Sequence, residues 1–193
     1  FLVKYNSSGT KQWTKQLGSS RDDEGSGVTT DSSGSIYVTG YTEDELDGNI
    51  YSGKKDIFLV KYNSSGTKQW TKQLGTSRDD EGKGVTTDSS GNIYVTGDTS
   101  KVLDRNTKIR GLDGNTSSGN TDIFLVKYNS SGIKQWTKQL GTRSYDSGEG
   151  VTTDSSGNIY VTGYTGGGLD GNTHFGDWDI FLVKYNSSGT KQW

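Results

Sequence analysis

Carboxylates grouped at a fixed place in a repeating pattern are the first residues in this chain that could do chemistry. Asp22, Asp23 and Glu24 recur as Asp79, Asp80 and Glu81, and paired carboxylates are what glycoside hydrolysis requires, one as acid and the other as base or nucleophile. In the third copy the aligned residues are Tyr145, Asp146 and Ser147, so only Asp23, Asp80 and Asp146 recur throughout. A carboxylate kept once per unit just ahead of a strand suits a turn, because an Asp side chain accepts hydrogen bonds from nearby backbone N–H groups. These three are read as structural, as are Asp31, Asp88 and Asp154, which open Asp-Ser-Ser-Gly segments. No catalytic residue is assigned, and the chain is read as a non-enzyme.

A second oxygen-rich pattern, Leu-Asp-Gly-Asn, occupies residues 46–49, 112–115 and 169–172. Asp47, Asp113 and Asp170 are therefore candidate calcium ligands. The run lacks the alternating ligands and distal Glu of an EF-hand loop, and Asp-Gly is itself a tight-turn signal. The expectation is a turn and no cofactor, with calcium the one ion the pattern would admit. His174 is the sole histidine, which excludes a His-based metal cluster or a Ser-His-Asp triad in every unit. Its neighbours Phe175 and Trp178 suit sugar stacking, while a loop pinned by its own aromatics is the plainer reading.

These residues hang on a repeat. FLVKYNSSGTKQW starts at Phe1, Phe58 and Phe181 without change, and at Phe124 with Ile133 in place of Thr. Recurrence at a fixed period of this size marks solenoids, propellers or arrays. Residues 84–140 show every part of one unit. GVTTD at 84–88 reads as a strand, Ser89, Ser90 and Gly91 as a turn, and NIYVTG at 92–97 as its partner. Ile93 and Val95 share one face and Tyr94 and Thr96 the other, so both faces are expected to meet another layer. DIFLVKYN at 122–129 and KQWTKQL at 134–140 supply two more strands. Four antiparallel strands per unit make a blade, giving blades at 27–74, 84–140 and 150–193, the last short of a full fourth strand. Residues 1–16 supply the outer hairpin of a preceding blade.

Composition agrees. Gly reaches 29 residues while Pro, Cys and Met are absent, and the Val, Ile, Thr, Tyr and Trp that remain fit pleated surfaces. The fold class is all-β. Absence of Cys excludes disulfides and thiolate chemistry. A net charge of −2 from interspersed residues argues against nucleic acid and against a basic membrane-binding surface, and no run is long and apolar enough to span a bilayer. A start without Met suggests an interior piece of a longer or processed chain.

The pattern DIFLVKYNSSGTKQWTKQLG followed by DDEGKGVTTDSSGNIYVTG resembles the SBBP family of β-propeller repeats. The resemblance implies a propeller with GVTTD innermost, facing the central channel, KQWTKQL outermost, and Trp136 wedged between blades. It also implies an extracellular or cell-surface setting. Three blades and a hairpin fall short of the four to eight blades of closed propellers, so the expected partners are further blades or other copies of the chain, joined through open blade edges. The leading expectation is a structural or interaction scaffold; the alternative is a multivalent glycan-binding module. One unit carries about nine extra residues near 100–110, with Lys101, Arg105, Lys108 and Arg110. Long loops on rigid scaffolds carry specificity, which makes these four, with His174, Phe175 and Trp178, the candidate contact residues.

Overall fold

One kind of turn recurs throughout the computed structural model, which describes residues 1–103 and 119–193. In each Asn-Ser-Ser-Gly segment the Asn Oδ1 accepts two backbone N–H groups. Asn63 takes those of Ser65 (3.1 Å) and Thr67 (2.8 Å), and Asn6, Asn129 and Asn186 do the same in their own copies. Asp31, Asp88 and Asp154 play this part in the other hairpins, each with two such bonds at 2.9 Å. The glycine that closes each turn has φ between 74° and 80°, which a residue with a Cβ adopts only at a cost.

Between the turns the chain forms antiparallel sheets. Strands β1 (Leu2–Tyr5) and β2 (Lys11–Lys15) pair as a hairpin. Blade one is β3 (Asp23–Thr30), β4 (Ile36–Thr42), β5 (Asp56–Tyr62) and β6 (Lys68–Leu74), side by side in chain order. Blade two repeats it with β7 (Asp80–Thr87), β8 (Ile93–Thr99), β9 (Asp122–Tyr128) and β10 (Lys134–Leu140). Blade three has β11 (Asp146–Thr153), β12 (Ile159–Thr165) and β13 (Asp179–Tyr185), and its fourth position holds residues 191–193, tied to β13 by a bridge between Tyr185 and Lys191 and by backbone bonds of Lys184 with Gln192 and Trp193. A 3₁₀ turn, Leu169–Gly171, is the one helical element among the described residues. The all-β reading with four-stranded antiparallel sheets holds, and the sheets do not close into a ring.

The inner strands begin four residues ahead of the GVTTD segments, at Asp23, Asp80 and Asp146. A bulge falls in every copy of the Gly-X-Gly run, between Gly25 and Gly27, Gly82 and Gly84, and Gly148 and Gly150. Without side chains at those positions the strand absorbs the extra residue and continues through the acidic cluster. Glycine also lets the inner strands crowd together: a Cβ on Gly27 would fall 2.6 Å from the Lys83 carbonyl oxygen. Hydroxyl bonds tie the far ends of these strands, from Thr87 to the Thr30 carbonyl (3.2 Å) and from Thr153 to that of Thr87 (3.1 Å).

The core lies between blades, which is why DIFLVKY is apolar on both faces. Ile93, Val95, Phe124, Val126 and Tyr128 of blade two pack on Tyr37, Ile57 and Leu59 of blade one. Tyr94, Ile123 and Leu125 on the other face of blade two pack on Ile159, Val161, Phe181 and Val183 of blade three. The N-terminal hairpin covers blade one in the same way, Leu2, Trp13 and Leu17 lying against Ile36, Phe58, Val60 and Tyr62. Burying this apolar area, at about 25 cal/mol per Å², holds each blade to the next.

Candidate interaction surface: blade junctions and open faces

The two junctions between blades repeat one latch. The outer-strand Trp stands beside a Tyr of its own blade, Tyr37 with Trp70 and Tyr94 with Trp136, both with ring centroids 6.1 Å apart. The Trp also packs against the turn glycine of the following blade, Trp70 under Gly132 and Trp136 under Gly189. A lysine from the third strand crosses in the same direction. Lys61 lies 5.2 Å from the Tyr37 ring centroid and donates to the Ser130 carbonyl (3.4 Å), and Lys127 lies 5.4 Å from Tyr94 and donates to Ser187 (3.2 Å). Tyr37 and Tyr94 in turn donate to Asp31 and Asp88, 2.9 Å each. Burial would raise the Asp88 carboxyl, but bonds from Asn92, Tyr94 and Ser90 outweigh it and hold the pKa below the usual value.

Asp23, Asp80 and Asp146 each reach back to a backbone N–H four residues upstream, those of Ser19 (2.6 Å), Thr76 (2.5 Å) and Thr142 (2.5 Å). The hydroxyls of Thr99 and Thr165 donate to Asp80 and Asp146. These carboxylates therefore fasten the entry to each inner strand. Burial pushes Asp80 up to about 6, against the pull of its Thr99 and Thr76 bonds. It also raises Asp56, which is fully buried at the start of β5.

One junction carries charges the other lacks. Lys83 stands where blade one has Ser26 and blade three Glu149, and Asp98 where they have Tyr41 and Tyr164. Lys83 Nζ lies 3.0 Å from Asp98 Oδ1 and 2.8 Å from Glu149 Oε1 across the boundary, and donates to Ser147 Oγ at 2.9 Å. Ser147 donates in turn to Asp98 at 3.0 Å. Burial raises Asp98 despite Lys83, whereas for Lys83 the lowering by burial is outweighed by Glu149 and Asp98. The blade one–two junction instead uses Lys55, 2.7 Å from Glu81 and 4.0 Å from the Tyr41 ring centroid. The sequence reading passed over Lys83, Asp98 and Glu149. The signal available was their departure from the repeat.

The contact candidates do not gather at one place. Lys101 donates to Ser77 Oγ at 2.6 Å, while Arg105, Lys108, Arg110 and Asp113 lie outside the described residues. His174 Nδ1 lies 2.9 Å from Asp179 Oδ2, which also accepts the Phe175 N–H at 2.8 Å. Trp178 stands edge-on to Tyr164 at 4.9 Å and 6.3 Å from Tyr145. The loop is thus pinned by Asp179 and by aromatic contacts, with the Phe175 side chain left outward. Asp47 and Asp170, both at positive φ, pair with Lys68 and Lys191. Among the described residues no three His, Cys, Asp or Glu side chains stand together as a metal set, and no helix is long and apolar enough to cross a membrane.

The two outermost faces present what the junctions bury. Ile180 is 92% exposed and Leu182 55%, whereas their counterparts Ile57 and Leu59 are at 3% and 1%. On the opposite face Val28 is exposed where Val85 is buried, and on the hairpin Phe1 and Tyr5 are exposed where Phe124 and Tyr128 are buried.

Four-stranded antiparallel sheets stacked face to face, with their first strands side by side, define a blade-built repeat protein of the propeller class. The chain belongs to the SBBP β-propeller repeat family, whose pattern matches residues 12–45, 69–103 and 135–170, together more than half of it. Each match runs from the outer strand of one blade into the inner strands of the next, so the sequence repeat straddles the junction. The chain is 28% identical over 222 aligned positions to an uncharacterized WD repeat-containing protein, L264, of Acanthamoeba polyphaga mimivirus, covering 94% of this chain and 16% of the relative. It is 26% identical over 172 positions to the regulatory protein FlaEY of Caulobacter vibrioides, covering 84% of this chain and 18% of that one. The chain thus spans less than a fifth of the length of either curated relative.

Proposed function

We propose that this chain is a non-enzymatic β-propeller scaffold that works outside the cell or at its surface, presents its faces to protein partners, and associates with other copies through its open blade edges. The observation that carries the reading is the exposure of Ile180, Leu182, Val28, Phe1 and Tyr5 at positions that the internal junctions bury. Exposed apolar surface of this kind marks an interaction site. A relative named for its WD repeats and another named as regulatory support an interaction role, since WD repeats are also propeller blades. Light scattering on residues 1–193 across a concentration range tests self-association, which is expected to raise the solution mass. A monomer at every concentration would end that part of the proposal. Protease accessibility on intact source cells tests the location.

Blade three favours a second reading. Tyr145 and Trp178, 52% and 54% exposed, stand beside Tyr164 where blade two has Asp79, Thr121 and Asp98. Aromatic faces beside polar groups suit glycans. On a glycan array, signal lost in Trp178→Ala would support a single lectin-like site there, and silence across the array would remove it.

A further inference from the structure

Resting on the self-association read above, we infer that two copies join by exchanging a hairpin: β1–β2 of one copy adds to β12 of the other in the place that β13 now holds, making a blade from two chains.

The hairpin carries half a latch. Lys4 donates to the Ser64 carbonyl at 2.9 Å, as Lys61 and Lys127 do to their turns, and Trp13 packs under Gly66 as Trp70 packs under Gly132. The other half is a tyrosine from a second strand. Trp70, Trp136 and Trp193 all have one, and Lys61, Lys127 and Lys184 all lie over one. Among the described residues neither Trp13 nor Lys4 does. Among the described residues β1 pairs only with β2, which leaves its other edge open, an edge of the kind that recruits another strand.

Blade three holds the complementary half. Tyr160 on β12 sits beside Trp193 and Lys184, and residues 181–193 have the same sequence as residues 1–13. Any contact β13 makes through those residues, β1 can therefore make. The register follows from the existing pairing, in which Tyr160, Val161 and Thr162 face Lys184, Val183 and Leu182. After exchange they face Lys4, Val3 and Leu2. Phe1 and Tyr5, now exposed, take the buried places of Phe181 and Tyr185 against blade two. Val28 is covered by the incoming inner strands. The exchanged blade gains a full fourth strand in β2, while Asp179 and Ile180, which pair with Thr165 and Tyr164, lie outside the shared sequence and are displaced with the rest of β13. The hairpin that reaches β12 comes from a second copy because a ring of three blades would fall below the four that propellers need.

The chain has no cysteine, so two single-cysteine variants test the register directly. Leu2→Cys and Thr162→Cys, mixed and oxidised, are expected to give a disulfide-linked pair of chains that neither forms alone, and the unsubstituted chain is expected to show a doubled solution mass. Lys4→Cys with Tyr160→Cys reads the same register should Leu2→Cys disturb the hairpin. Ile180→Lys changes a side chain that is already exposed; it is expected to leave the doubled mass intact, because exchange displaces β13. A doubled mass without either cross-link, or a mass that Ile180→Lys returns to that of a monomer, would mean that faces dock without exchange, overturning this inference while self-association stands. Growth without limit would overturn the pairwise exchange, and a monomer at all concentrations would overturn both readings.

Discussion

Trp70 and Gly132 meet across the boundary between blades one and two: a Cβ built on the glycine would fall 3.1 Å from Trp70 Cε2. The contact recurs between Trp13 and Gly66 and between Trp136 and Gly189, so one residue serves as the turn of its own blade and the seat for its neighbour's indole. Both needs select glycine, one through a positive φ and the other through space.

Gly132→Ala is expected to lower stability on both counts. The φ of 74° costs an alanine about 1 kcal/mol, and the methyl must also displace Trp70. Trp70→Ala removes the indole instead and is expected to cost about 3 kcal/mol. Urea unfolding followed by circular dichroism reads both; a Gly132→Ala midpoint equal to that of the parent would show that the indole does not need this seat.

Asp80 sets a pH dependence of unusual sign. Its pKa rises from 3.8 in the unfolded chain to about 6 in the fold because it is buried. The folded state therefore holds the proton more tightly, and the stability this confers is present in full below about pH 4 and is lost as pH rises to 6. Two pKa units correspond to about 3 kcal/mol. Asp80→Asn is expected to flatten stability between pH 4 and 6, which urea midpoints at four pH values would register. Asp154 acts in the opposite direction. Hydrogen bonds led by Asn158 hold it at about 2, so its contribution is present above pH 4 and fades as pH falls through 2.

Lys83 is the shared cation of Asp98 and Glu149. Lys83→Met is expected to destabilise the chain by about 3 kcal/mol, because Asp98 is left largely buried without its countercharge. Placing blade one's residues there, Lys83→Ser with Asp98→Tyr, removes both charges and is expected to recover most of the loss. If the double variant melts no higher than Lys83→Met, the ion pair is not the source of the effect.

Calcium has little to take hold of at Asp47 and Asp170, whose carboxylates are engaged by Lys68 with Thr71 and by Lys191. Excess EGTA is expected to leave the melting temperature unchanged. A rise of several degrees on adding calcium would show that the ion displaces the lysines.

What the sequence by itself determined about this protein is what depends on residues two to four positions apart. The Asn or Asp and the Gly of each turn meet through bonds within five residues, and the alternation of Ile93, Tyr94, Val95 and Thr96 sorts side chains onto two faces, so hairpins and blades were legible from the pattern alone. Tertiary structure decided what those faces meet. The inner strands reach back to Asp23, Asp80 and Asp146 because the bulged glycines let neighbouring strands pack close, which no local propensity reports. Lys83 finds Glu149 66 residues away only once two blades stand side by side. The repeat made each blade recognisable, and the few residues that depart from it gained their partners from the stacking of one blade on the next.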